Sequence, residues 1–200
     1  MVYQQIWVYI QKNKIKYMQA LIVIDVQNEF SENGKRPVPN HTNAVEVIKQ
    51  RVEQARSQGR PIAWVRHFNK PTESPAFMPG TWGFEFTSGL EPEPGNDLEM
   101  EFQKNVYGAF TGTDIGAWLK KNDADAVLIV GFYTHGCVST TAREAIMLDL
   151  DVSIDPNGTG ACDMYHELLG KFSADEVRRS ALLQLSSMGA SVTALDTISI

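Results

Sequence analysis

Cysteine is scarce in this chain: Cys137 and Cys162 are the two among 200 residues. A lone pair with no secretion signal ahead of it reads as two thiols in a reducing compartment, so the expected location is cytoplasmic. Positive charge is scarce too. Lys and Arg number 18 against 24 Asp and Glu, a formal net charge of −6 at pH 7. No Lys/Arg-rich run supplies the basic stripe that a phosphate backbone demands, so no nucleic-acid partner is expected. Long hydrophobic runs are also missing. The apolar end of residues 1–10 (MVYQQIWVYI) is too short to span a bilayer and has neither a basic region before it nor a small-residue cleavage site after it, so no membrane partner is expected. The four His (41, 67, 135, 166) show no metal-ligand spacing with each other or with Cys. The motifs G-x-S-x-G, H-E-x-x-H, C-x-x-C and G-x-x-x-x-G-K-[ST] are absent. No metal and no cofactor is expected. NGTGACD (157–163) offers two of the three dinucleotide-loop glycines, and it follows a late strand.

What is present is 43% hydrophobic residues in a length that suits one globular domain with a full core. Residues 1–17 hold Lys12, Lys14 and Lys16 and no acid, and a strong strand opens at Met18. The domain is therefore expected over 18–200, with 1–17 as an appendage: an extra edge strand, a partner-binding arm or an upstream start. From Met18 on, short β-branched runs alternate with helix-period segments, the pattern of an α/β fold whose parallel sheet is covered on both faces. Strands are predicted at 20–25, 61–67, 98–104, 126–131, 151–155 and 191–195, and helices near 42–58, 113–121, 137–149 and 173–188. The last helix opens on Ser173 and Glu176, an S-x-x-E capping box. The stretch 68–97 is long, irregular and rich in Pro and Gly. Its aromatics, Trp82, Phe84 and Phe86, point to an ordered, site-forming loop.

Ligands of such sheets sit beyond the carboxyl ends of the strands, which directs attention to the residues after Asp25, His67, Lys104, Gly131 and Asp155. Asp25 follows a run of buried aliphatics and must be paired or face a cleft. Lys104 ends EFQK. Cys137 lies in a tight turn at a helix start, where free N–H groups and the helix dipole are expected to lower its thiol pKa. These side chains would make an acid-base group, a charge stabiliser and a nucleophile on one rim.

ALIVIDVQNEF (20–30), QKNVYGAF (103–110) and GFYTHGCVSTTAREA (131–145) resemble the three signature segments of the isochorismatase-like cysteine hydrolases, the superfamily of nicotinamidase, N-carbamoylsarcosine amidohydrolase and isochorismatase. GTWGFEF (80–86) and GTDIGAWL (112–119) resemble members of it as well. The resemblance implies a three-layer αβα fold with a six-stranded, Rossmann-like, mostly parallel sheet, and Asp25, Lys104 and Cys137 as the catalytic triad. It implies a cis bond between Phe132 and Tyr133, backbone N–H groups of Tyr133 and Cys137 as the oxyanion hole, and a homodimer or homotetramer. The chain also departs from its relatives. Nicotinamidases carry an Asp and two His as metal ligands in a D-W-H-P type segment, where this chain reads VRHFNKP (65–71) with only His67. Isochorismatases proper lack the Cys, because they cleave a vinyl ether. Gly136 replaces a bulkier residue beside the thiol.

The expected activity is hydrolysis of a C–N bond in a small carboxamide or ureido (carbamoyl) substrate through an acyl-cysteine. A second reading keeps the fold but hydrolyses an ester- or ether-like substrate with Cys137 a bystander, and a third is a non-catalytic binding domain. The candidate substrate-binding residues are Phe30, Trp82, Tyr107, Phe110, Tyr133 and His135. Phe30 and Phe110 equally read as core, Trp82 as an interface residue, and His135 as a local turn partner. Cys162 reads as a small buried filler. The six acids at Glu85, Glu91, Glu93, Asp97, Glu99 and Glu101 account for the whole net charge. They read either as a solvated face or as a rim that disfavours anionic substrates.

Overall fold

The computed structural model describes residues 18–194. The appendage at 1–17 lies outside them, as does Leu195 at the end of the last predicted strand. Strand β1 (Met18–Ile24) is central, and β2 (Ile62–His67), β3 (Glu99–Lys104), β4 (Ala124–Phe132), β5 (Asp151–Gly160) and β8 (Ser191–Val192) complete a six-stranded sheet of order β3-β2-β1-β4-β5-β8. Every pairing in it is parallel. A parallel sheet is apolar on both faces because helices cover both, and β1 shows how the sequence encodes this. Leu21 and Val23 face helix α1 (His41–Ser57) through Ala44, Val45, Ile48 and Val52. Ile22 and Ile24 face α2 (Ile115–Lys121), α3 (Ser139–Met147) and α4 (Ala174–Ser187) through residues such as Trp118, Ala142 and Leu185.

All six predicted strands and all four helices exist, and the Ser173–Glu176 capping box forms in both directions. The differences have physical causes. Strand β5 runs to Gly160, through PNGTG, because β8 pairs only with Ser153 and Ile154; beyond them β5 is an edge, where Pro156 costs no ladder bond. The glycines of NGTGACD serve packing: a Cβ at Gly160 would stand 2.4 Å from Val38 Cγ1. A small antiparallel hairpin, β6 (Met164–His166) and β7 (Gly170–Phe172), was not predicted, since its exposed strands are three residues each. Among the described residues, no helix is long and apolar enough to cross a membrane.

Strand order reverses between β1 and β4, so a crevice opens where their following loops part to opposite faces. Register then sets the site. Ile24 pairs with both Val65 and Gly131, and two residues further along β2, His67 pairs with Lys104. The ends of β1, β2, β3 and β4 therefore meet at one level. Gly131 is required there: its φ is +122°, and a Cβ would lie 1.9 Å from Ile24 O.

Candidate active site

Asp25 leaves β1 with φ +52°, a left-handed conformation that Asp tolerates better than most residues. Its carboxylate is buried, and Lys104 Nζ donates to Oδ2 at 2.7 Å. A carboxylate oxygen of Asp25, a ring nitrogen of His67 and Cys137 Sγ lie within 4.8 Å of one another. The structure therefore brings Asp25, Lys104 and Cys137 together. Cys137 sits in a π-type turn, Thr134–Val138, that runs straight into α3. Gly136 in that turn has φ −108° and ψ −106°, outside the regions open to L-residues, although a Cβ would meet nothing nearer than 3.7 Å. Backbone shape, not lack of space, accounts for this glycine. The Phe132–Tyr133 peptide bond ahead of the turn is cis.

The other buried carboxylates show what is particular about Asp25. Glu29 accepts from the backbone N–H groups of Lys35 and Phe77 on separate oxygens. Glu99 takes a two-pronged bond from Arg56 and another from Trp64 Nε1. Asp155, one of the strand-end residues singled out above, accepts from Arg51 on Oδ2 and from Asn157 N on Oδ1. Each is satisfied on both oxygens and holds structure together. Asp25 Oδ1 is buried with no hydrogen-bond partner among the described residues, a costly arrangement unless something is to bind there.

Electrostatics correct one expectation. Burial pushes the Cys137 thiol up, and the Asp25 carboxylate pushes it further, while Lys104 only partly opposes them. The dipole of a nine-residue helix does not outweigh that desolvation. These surroundings favour the neutral thiol over the thiolate. For Lys104, burial opposes the charge, but Asp25, with Cys137 in the same direction, holds the ammonium above its ordinary value. His67 and His135 are both lowered by burial, and Tyr133 is raised by burial and by Cys162 beside it.

Above the three residues lies a cleft of about 660 Å³ lined by Phe30, Tyr107, Tyr133 and His135 among the sequence candidates. Tyr133 stands edge-on to Phe30 at 4.8 Å and stacks on His135 at 5.1 Å. Trp82 and Phe110 do not line it. Trp82 is 55% exposed on the outer side of the 68–97 loop. Phe110 packs against the core near α2, because the chain turns away from the strand end before reaching it. Sequence reasoning missed Arg36, Asn69, Phe77, Asn105 and Cys162, all in the cleft wall. Cys162 is a wall residue rather than a buried filler. Position relative to strand ends could have flagged Asn69 and Asn105, two residues past β2 and one past β3; nothing local marks Arg36 or Cys162.

The acidic stretch is not a rim. Glu99 begins β3 and Lys104 ends it, so five strand steps of about 3.3 Å, about 16 Å in all, separate them. Glu85 and Glu101 clasp Arg66, Glu93 and Glu99 hold Arg56, and none of the six acids lines the cleft.

The segment that carries the nicotinamidase metal ligands reads VRHFNKP here, with His67 as its one ligand-type residue, and the Asp25–His67–Cys137 group does not suit a metal ion either. Lys104 Nζ already lies 2.7 Å from Asp25 Oδ2 and 3.4 Å from His67 Nδ1, so a cation between Asp25, His67 and Cys137 would meet a full positive charge in its own ligand set.

The model of the family described as the isochorismatase domain matches residues 19–197, and the chain belongs to that family. It is thus an isochorismatase-family hydrolase. It is 29% identical over 182 residues to YrdC, an uncharacterized isochorismatase family protein of Bacillus subtilis, covering 90% of this chain and 94% of that one. It is 30% identical over 150 residues to the nicotinamidase/pyrazinamidase of Mycobacterium tuberculosis, covering 64% and 79%. A solved isochorismatase of Pseudomonas putida superposes with a TM-score of 0.81 at 25% identity, covering 93% of this chain and 94% of that one.

Proposed function

We propose that this hydrolase cleaves a C–N bond of a small carboxamide or ureido substrate through an acyl-cysteine. The observation that carries this reading is the unpartnered Asp25 Oδ1 beside a thiol that burial keeps protonated. A neutral thiol needs a base at the moment of attack, and Oδ1 is the free base within reach. Asp25 takes the S–H proton as sulfur adds to the carbonyl carbon. Lys104 then faces the negative charge wherever it lies, on carboxylate or sulfur. The N–H groups of Tyr133 and Cys137 receive the oxyanion, a role in which one donor is typically worth about 100- to 1,000-fold in rate. Asp25 returns the proton to the departing ammonia or amine, then takes one from water as hydroxide adds to the thioester and releases the acid and the thiol. Both half-reactions balance with the chain's own groups. The nicotinamidase/pyrazinamidase relative supports the amide class.

A panel of small amides and ureido compounds assayed for ammonia release tests this directly, with the Cys137→Ala protein as blank. At least one compound is expected to be turned over by the wild type alone. A flat panel alongside turnover of small esters or ethers would move the assignment to the second reading.

The same account takes the chain as a homodimer or homotetramer. The β6–β7 hairpin supports it: Tyr165, Leu168 and Leu169 are each at least 75% exposed, and Phe172 is half exposed, more apolar surface than a small hairpin commonly leaves to water. Light scattering on the eluted peak should give two or four chain masses, and replacing Leu168 and Leu169 by Ser should shift it toward one; a wild-type monomer contradicts the assignment.

A further inference from the structure

We propose that His67 is a positioning residue: its Nδ1 is the third acceptor that fixes the Lys104 ammonium, so that Lys104 holds Asp25 by Oδ2 alone and leaves Oδ1 free for the Cys137 proton. This rests on the reading of Asp25 as the base. An ammonium has three N–H bonds, and three acceptors surround this one: Asp25 Oδ2 at 2.7 Å, Val106 O at 3.1 Å and His67 Nδ1 at 3.4 Å. The geometry also fixes the tautomer. Asn69 Nδ2 donates to Ala76 O at 3.0 Å, which turns Asn69 Oδ1 toward His67 Nε2, also at 3.0 Å. An amide oxygen only accepts, so Nε2 carries the hydrogen and Nδ1 presents a lone pair to Lys104. The ring is held further by its backbone N–H, which donates to Gln27 Oε1, and by the edge-on ring of Phe77. Without this acceptor the ammonium is free to swing across both Asp25 oxygens and occupy the base.

The arrangement requires a neutral imidazole. A proton on Nδ1 would point at the ammonium 3.4 Å away. The charged and titratable groups facing His67 are Asp25 and Glu73, which favour the imidazolium, and Lys104, which opposes it, with the Cys137 thiol nearby. Burial is the largest influence and tips the balance, holding His67 below its ordinary value of 6.5. Protonation in mildly acidic solution should therefore dislodge Lys104 and give kcat/KM an acid limb below pH 6.5.

The test uses His67→Leu, which removes the acceptor, and Asn69→Asp, whose carboxylate favours the imidazolium. Two quantities are read against pH: turnover of the best amide of the panel, and the rate at which iodoacetamide alkylates Cys137, localised by peptide mass mapping. His67→Leu is expected to lower kcat by about 10- to 100-fold with little change in KM, since a misplacement of about 1 Å at a reacting group can cost about 100-fold. It should also erase the acid limb and move the alkylation curve to higher pH, because a displaced ammonium stabilises the thiolate less. Asn69→Asp should move the acid limb upward, and it supplies the test if His67→Leu does not fold. Alkylation and acid limb unchanged from the wild type in both variants overturn the proposal. If no amide is turned over but the alkylation curve still shifts in His67→Leu, the amide reading fails and the positioning role stands.

Discussion

Asp25→Asn should reduce turnover by about 100- to 10,000-fold, the range for a positioned general acid-base group, with far less effect on KM. An amide has the shape of the carboxylate but cannot accept the S–H proton. The loss should be large because the Cys137 thiol is raised rather than lowered by its surroundings. A cysteine already ionised by a helix N-terminus would attack without assistance, and the same substitution would then cost little. Steady-state kinetics with the best amide decide between the two. Near wild-type kcat in Asp25→Asn would mean that the proton leaves the thiol by another route.

Lys104→Met should destabilise the protein by about 3–5 kcal/mol in urea unfolding, the usual consequence of leaving one member of a buried ion pair without its partner. Both side chains of the pair are almost entirely inaccessible, at 0% and 1% exposure. The double variant Asp25→Asn/Lys104→Met should recover much of the loss, since no charge then remains buried. In the wild type, Lys104 is raised in the folded state, so the stability linked to its proton is fully present below about pH 10.5 and disappears as pH rises through the higher folded value. Across neutral pH this contribution of the Lys104 proton is constant. A Lys104→Met protein as stable as the wild type would show that the ammonium is not what compensates the Asp25 charge.

Much of this site is legible in the sequence because strand ends are. An acid after LIVI, a lysine closing EFQK and a cysteine in the turn after VLIVGF must share one rim once the strands are parallel, and the register places them there. The limits of such reading are also physical. Trp82 lies in the loop after β2 and Phe110 in the segment after β3, yet neither lines the cleft, and side-chain direction in irregular segments has no period to read. The direction of the Cys137 shift depends on how deeply the sulfur is buried beside a carboxylate, a through-space quantity. The acidic stretch appears in sequence as a block leading to Lys104. In space four of its six charges, Glu85, Glu93, Glu99 and Glu101, are paired with Arg56 or Arg66, and none of the six lines the cleft.

The central claim is that the reaction passes through an acyl group on Cys137 sulfur. Acid-quenching the wild-type protein during turnover of its best amide and measuring its intact mass tests this most directly. A mass increase equal to the acyl fragment is expected, located on Cys137 by peptide mapping, released by hydroxylamine and absent from Cys137→Ala, which should not turn over. Hydrolysis by Cys137→Ala at near the wild-type rate, or an acyl group on any other residue, would contradict it.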